Sequence, residues 1–136
     1  MIKNERTETA AQRRAANNKI RGMKLLPQEI REKLPPLYAQ DGKGGQAIVY
    51  LRVYSLDSGW TWHLTEGSPI TDEQGVEVDF RFFGLVDGQC SELGYVLLSE
   101  LETARGSMGL PIERDLHWQP KTLAQIAPEM FPQGKD

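Results

Sequence analysis

Apolar and polar residues alternate through the middle of the chain and fall into helical spacing on either side of it. Over Ala47–Tyr54, Val49, Leu51 and Val53 alternate with Ile48, Tyr50, Arg52 and Tyr54, which predicts a strand with one apolar and one amphipathic face. Asp57-Ser-Gly59 is turn chemistry. Trp60, Trp62 and Leu64 then share one face of a second strand, with Thr61, His63 and Thr65 opposite. After a polar loop over 66–75, a third strand at 76–83 turns Val76, Val78, Phe80 and Phe82 inward and Glu77, Asp79 and Arg81 outward. Asp87-Gly88 opens a turn. The unbroken apolar run Gly94-Tyr-Val-Leu-Leu98 predicts a fourth strand covered on both faces.

Three short helices flank these strands. Pro27 suits a helix start, Leu26, Ile30 and Leu34 form one apolar stripe, and Pro35-Pro36 ends the helix. Ser99-Glu-Leu-Glu102 reads as a capping box for a helix reaching Arg105, stopped by Gly106. Thr122-Leu-Ala-Gln125 is a further such box, with its helix ending near Pro128. Strands joined by short turns, with helices set apart, predict a single α+β domain built on a mainly antiparallel sheet of about four strands. Residues 1–22 contain almost no large apolar side chains and read as a flexible basic extension. Residues 23–130 read as the compact domain, and 131–136 as a frayed tail.

Charge divides the chain unevenly. The net charge is −3, yet residues 1–22 carry six basic groups against Glu5 and Glu8, a local +4, and leave −7 for the rest. A basic arm on an acidic body offers nucleic acid a contact through residues 1–22 and a basic partner a contact through the body. Cys90 is the sole cysteine, so no internal disulfide forms and a reducing, cytoplasmic setting is expected. No apolar run reaches the roughly 18 residues that span a bilayer.

Candidate chemistry is sparse. His63, His117 and Cys90 are the strong metal-ligand types and none is closely paired, so neither a metal nor a cofactor is expected. Gly106-Ser-Met-Gly109 lacks the strand-to-helix frame of a nucleophilic serine, and Cys90 sits beside Glu92 without a base. Asp41-Gly-Lys-Gly-Gly45 lacks the Lys-Ser or Lys-Thr of a phosphate loop. The richest cluster is Glu113, Arg114, Asp115 and His117, joined by Glu92, Arg105 and Trp118. It can serve as a salt-bridged structural network, a binding surface, or an acid–base site using Glu113, Asp115 and His117. Trp60 and Trp62, with Tyr50 and Tyr54, can form core, a protein interface or a stacking platform for single-stranded nucleic acid.

Met23-Lys-Leu-Leu-Pro, Leu34-Pro-Pro-Leu-Tyr38, Trp60-Thr-Trp62, Thr65-Glu-Gly67, Phe82-Phe-Gly-Leu-Val-Asp-Gly88, Glu92-Leu-Gly-Tyr95, Leu98-Ser-Glu-Leu-Glu102, Arg105-Gly106 and Gly109-Leu-Pro-Ile-Glu-Arg-Asp-Leu-His117 occur together in this order. In these segments the chain closely resembles the bacterial family called domain of unknown function 2958, over about residues 23–126. The family has no established activity and no defined catalytic residues, so none carry over. Its members resemble accessory proteins of plasmids, integrative elements and phages. The resemblance therefore implies an anti-defence or element-maintenance role, and together with the acidic body and the missing catalytic constellation it leads to the expectation of a small non-enzymatic protein that binds a host protein, such as a defence component.

Overall fold

The computed structural model describes residues 8–132. Helix α1 (Ala10–Arg21) and helix α2 (Gln28–Lys33) come first, followed by a 3-10 turn at Gly44–Gln46. Strands β1 (Ile48–Val49), β2 (Leu51–Tyr54), β3 (Thr61–Thr71), β4 (Glu77–Asp87) and β5 (Ser91–Leu97) lead into helix α3 (Leu98–Thr103). Strands β6 (Glu113–Arg114) and β7 (Lys121–Thr122) and helix α4 (Leu123–Ile126) complete the order. The α+β class with an antiparallel sheet is as expected. The strand count differs: a five-stranded sheet ordered β5-β4-β3-β2-β6 stands beside a two-stranded one, β1-β7.

The expected strand over Ala47–Tyr54 breaks at Tyr50 for a local reason. The Gln40 side chain accepts from the Ile48 N–H (2.7 Å) and donates to the carbonyls of Ile48 (2.9 Å) and Thr65 (2.8 Å). An amide side chain thus occupies the groups that a longer β2 would use, and β1 pairs with β7 instead. The expected loop over 66–75 is mostly strand, because β3 runs on to Thr71 with a register shift between Leu64 and Glu66. Gly67 makes this passage feasible: a Cβ there would lie 2.3 Å from the Phe80 ring.

One face of the large sheet carries Leu51, Val53, Leu64, Phe80 and Phe82, sealed by Leu25, Leu26, Leu34, Leu101 and Ile112. Each such side chain fully removed from water contributes ~1.5–3 kcal/mol. The opposite face is only half covered. There Val49, Leu85, Leu123 and Ala127 form a smaller cluster with Trp118 and Phe131 against it. Phe131, expected in the frayed tail, packs on Gly45 in this cluster, whereas residues 133–136 lie outside the described residues.

Three further expectations are corrected. Val76 and Val78 are exposed, because β5 ends opposite Arg81 and leaves the start of β4 uncovered. The fourth strand is an edge strand with Leu93 and Tyr95 exposed, since its apolar run divides between strand and helix. Ser99 does not cap α3: its N–H (3.1 Å) and hydroxyl (2.5 Å) both bond Asp79, and Glu100 accepts the Leu97 N–H at 2.8 Å. The capping box at Thr122 and Gln125 is present as expected.

Within the segment expected to be a flexible extension, Ala10–Arg21 is a docked helix. Thr9 and Gln12 form a capping box and Gly22 closes the helix in the left-handed region. It docks through polar groups. Asn17, fully buried, donates to the Glu102 carbonyl (2.9 Å) and accepts from Arg105 Nε (2.8 Å), while buried Arg21 donates to the Ile112 carbonyl (2.8 Å). Such docking leaves no apolar stripe for a periodicity reading to find. Residues 1–7 lie outside the described residues.

Candidate functional site

The charged segment Glu113–Trp118 is held by its neighbours. Glu113 and Arg114 form β6, paired with Tyr54 and Val53, and Arg114 Nε donates to the Lys24 carbonyl at 3.1 Å. The Asp115 carboxylate accepts from Arg52 at 3.1 Å and from the His117 backbone N–H at 3.0 Å. Among the described residues no hydrogen bond joins the exposed His117 ring to Glu113 or Asp115, so the three are not linked as an acid–base relay. Trp118 donates its indole N–H to the Val49 carbonyl (2.9 Å) and packs with the smaller cluster.

The remaining candidates lie elsewhere. Glu92 sits on β5, at the opposite edge of the sheet from β6. Its carboxylate is 3.5 Å from the Cys90 thiol and pushes that thiol's pKa up, which disfavours the thiolate. Arg105 is committed to Asn17 on α1. Trp62 packs against the main core, whereas Trp60 is partly exposed beside it at 5.9 Å between ring centroids. Of the basic groups in residues 1–22, Arg13 donates to the Thr103 carbonyl and Arg14 pairs loosely with Glu102 at 3.9 Å. With Arg21 buried, three of that region's cations serve the body of the fold. Among the described residues no group of three His, Cys, Asp or Glu side chains is placed to hold a metal ion, and no helix is long and apolar enough to cross a membrane.

A different constellation stands out on the half-covered face. The bulge in β3 places Thr65 as the extra residue, so His63 and Glu66 fall on the same face of the sheet, opposite Leu85 and Phe83. Glu66 is 3% exposed, and its carboxylate accepts the backbone N–H groups of Tyr38 (2.9 Å) and Gln40 (2.6 Å). This clamp holds Tyr38 at φ 75°, the left-handed region that a bulky residue rarely enters and that costs about 1–3 kcal/mol. The strain presents an aromatic side chain to solvent. Tyr38 is exposed, and its side chain, acting on Tyr95, pushes that phenol's pKa up. Tyr95 in turn packs on Phe83, with ring centroids 5.0 Å apart.

Beside these rings lies a cleft of about 380 Å³, bounded by Gln40, Asp41, Glu66, Phe83, Leu93 and Phe131 among others. Its lining includes two carboxylates and no basic side chain. Deeper on the same face, His63 is buried with Nδ1 unpartnered, near Trp118 at 6.2 Å between rings. Burial, reinforced by Arg52 and opposed by Asp87, lowers its pKa to about 4, so the ring is neutral at physiological pH.

Sequence reasoning does not find this cleft. Glu66 falls in an expected loop, and Tyr38 carries no periodic signal. The one available pointer is the resemblance itself, since Leu34–Tyr38, Thr65–Gly67, Phe82–Gly88 and Glu92–Tyr95 all meet here.

Fold and cleft together define a small α+β domain with one sealed sheet face and one open, acidic-lined face. Residues 25–127 match the family described as Protein of unknown function (DUF2958), and the chain belongs to that family. No curated protein and no solved structure matches it.

Proposed function

We propose that this protein acts by binding another protein and performs no chemistry of its own, serving as an accessory protein of a mobile genetic element. The observation that carries the reading is the open cleft lined by Phe83, Leu93 and Phe131, with exposed Tyr95 packed on Phe83 and exposed Tyr38 on the loop that Glu66 holds, an aromatic-rich surface of the kind that anchors protein interfaces. The carboxylates with the strongest claim to act as a base, Glu66 in the cleft and Asp115 in the charged segment, are already committed. Glu66 serves two backbone N–H groups, and Asp115 serves Arg52 and a turn, so neither is poised as a base. The mobile-element setting rests on the family resemblance, and a bacterial defence component is the partner class it favours.

Affinity-tagged protein recovered from a bacterial host should carry one partner at near-stoichiometric amount, and no partner above background would overturn the reading. Phage plating on defence-proficient cells tests the sharper form. Expression of the chain should raise plating at least tenfold there and leave it unchanged in cells lacking the defence system. Equal plating in both strains ends the anti-defence form alone.

A further inference from the structure

We propose that the β5 edge and the adjoining cleft take an extended, basic segment of a partner protein, which adds as a strand to the sheet and places a lysine or arginine side chain in the cleft. This rests on the protein-binding reading and adds to it the site, the mode and the partner's chemistry.

The two edges of the large sheet differ. β6 is two residues long and is followed at once by the Asp115 turn. β5 is seven residues, pairs with β4 over seven consecutive positions without a register shift, and contains no proline and one charge, Glu92. Proteins ordinarily blunt an exposed edge with lysine, proline, a bulge or a covering element, because its free N–H and C=O groups template another strand. β5 carries no lysine, proline or bulge, and among the described residues no strand pairs with its outer edge; its exposed Leu93 and Tyr95 alternate onto the face that holds the cleft. Strand addition reads sequence through pockets for alternate side chains, and the cleft is such a pocket at the level of Leu93.

Charge identifies what fills it. Phe83, Leu93 and Phe131 suit a methylene stem, while exposed Asp41 and buried Glu66 favour a cationic tip, with no basic lining residue to oppose it. Tyr38 is an independent pointer. Its strained backbone is held by the same Glu66, and its side chain is exposed to solvent. Strain retained on an exposed aromatic beside a pocket is a mark of a ligand clamp.

A displayed library of random decapeptides, selected against the full chain, tests the inference. Selected peptides should alternate apolar and polar residues with lysine or arginine enriched at one position. Binding should weaken at least tenfold in Leu93→Lys and change less than twofold in Leu116→Lys, another exposed leucine. N-methylation of every second peptide amide should abolish binding in one of the two possible sets and spare the other. Thermal melts of both variants matching the parent exclude unfolding as the cause. Peptides with an acidic consensus, or insensitive to Leu93→Lys or to N-methylation, overturn the strand-addition site while leaving the protein-binding reading intact. A dimer of the chain abolished by Leu93→Lys overturns it in favour of another copy of the chain as the occupant. Failure to select any peptide overturns it as well, and the stoichiometric pull-down then decides the broader reading separately.

Discussion

Asp115 and Glu66 are both carboxylates that organise a turn, and they organise it differently. Asp115 keeps a quarter of its side chain in solvent and pairs with an equally accessible Arg52. Glu66 is almost fully buried and has backbone N–H groups as its hydrogen-bond partners. The segment around Asp115 has the more reactive sequence because its charges are adjacent, yet Asp115 pairs with Arg52 on β2 and Arg114 donates to the Lys24 carbonyl. The surroundings of Glu66 are bland in sequence, yet they hold a strained aromatic beside an open apolar cleft. Clustered charge in the sequence thus marks a segment held by its neighbours, while a single buried carboxylate with partners from a distant loop organises the open face.

Substitution should separate the two regions clearly. Glu66→Ala leaves two N–H groups without their acceptor in a buried setting, where each costs about 1–3 kcal/mol. The expected loss is about 3 kcal/mol by urea unfolding, with the loop at 38–41 gaining amide hydrogen exchange. A loss under about 1 kcal/mol would break the contrast. His63 sharpens it through pH. Its folded pKa, about 4, lies below its ordinary 6.5, so the unfolded chain takes up the proton first as pH falls. The stability contributed by the neutral ring is complete above about pH 6.5 and is lost as pH drops towards 4, by at most ~1.4 kcal/mol per pH unit. His63→Leu should flatten the unfolding free energy across that window, and an unchanged slope would refute the assignment.

Smaller effects follow at the surface. Tyr38→Gly removes a side chain from the left-handed region and should raise stability by about 1 kcal/mol while weakening peptide binding. A variant that is both less stable and fully binding would contradict the clamp. Asp115→Ala breaks a pair about a quarter exposed, for which ~0.2–1 kcal/mol is the usual range. It should leave binding untouched.

Much of the scaffold is legible from periodicity. The β3 start, the inward Phe80 and Phe82, the Leu26–Ile30–Leu34 stripe and the Thr122 capping box all follow from local pattern, and all are present. What stays hidden depends on contacts distant in sequence. Gln40 reaches Ile48 and Thr65 and so redirects β1, while a bulge at Thr65 decides which way Glu66 points. Helix α1 docks by Asn17 and Arg21, residues whose presence in a polar segment argues for solvent. Pattern alone also leaves open whether a short apolar strand is central or at an edge, hence the misplacing of Gly94–Leu98. The nine candidate site residues scatter for the same reason: nearness in sequence between Glu113 and Trp118 does not bring Glu92, on the far edge, to them.

On the proposal made above, the protein meets its partner on the open face between Tyr38 and β5 and not at the charged segment 113–118. Backbone amide shifts of the isotopically labelled chain, followed while a selected basic peptide is added, test it most directly. The largest shifts should fall at residues 91–97 and 38–45, with 113–118 unmoved. Shifts concentrated at 113–118, or on the opposite face around Trp60 and Met108, would contradict it.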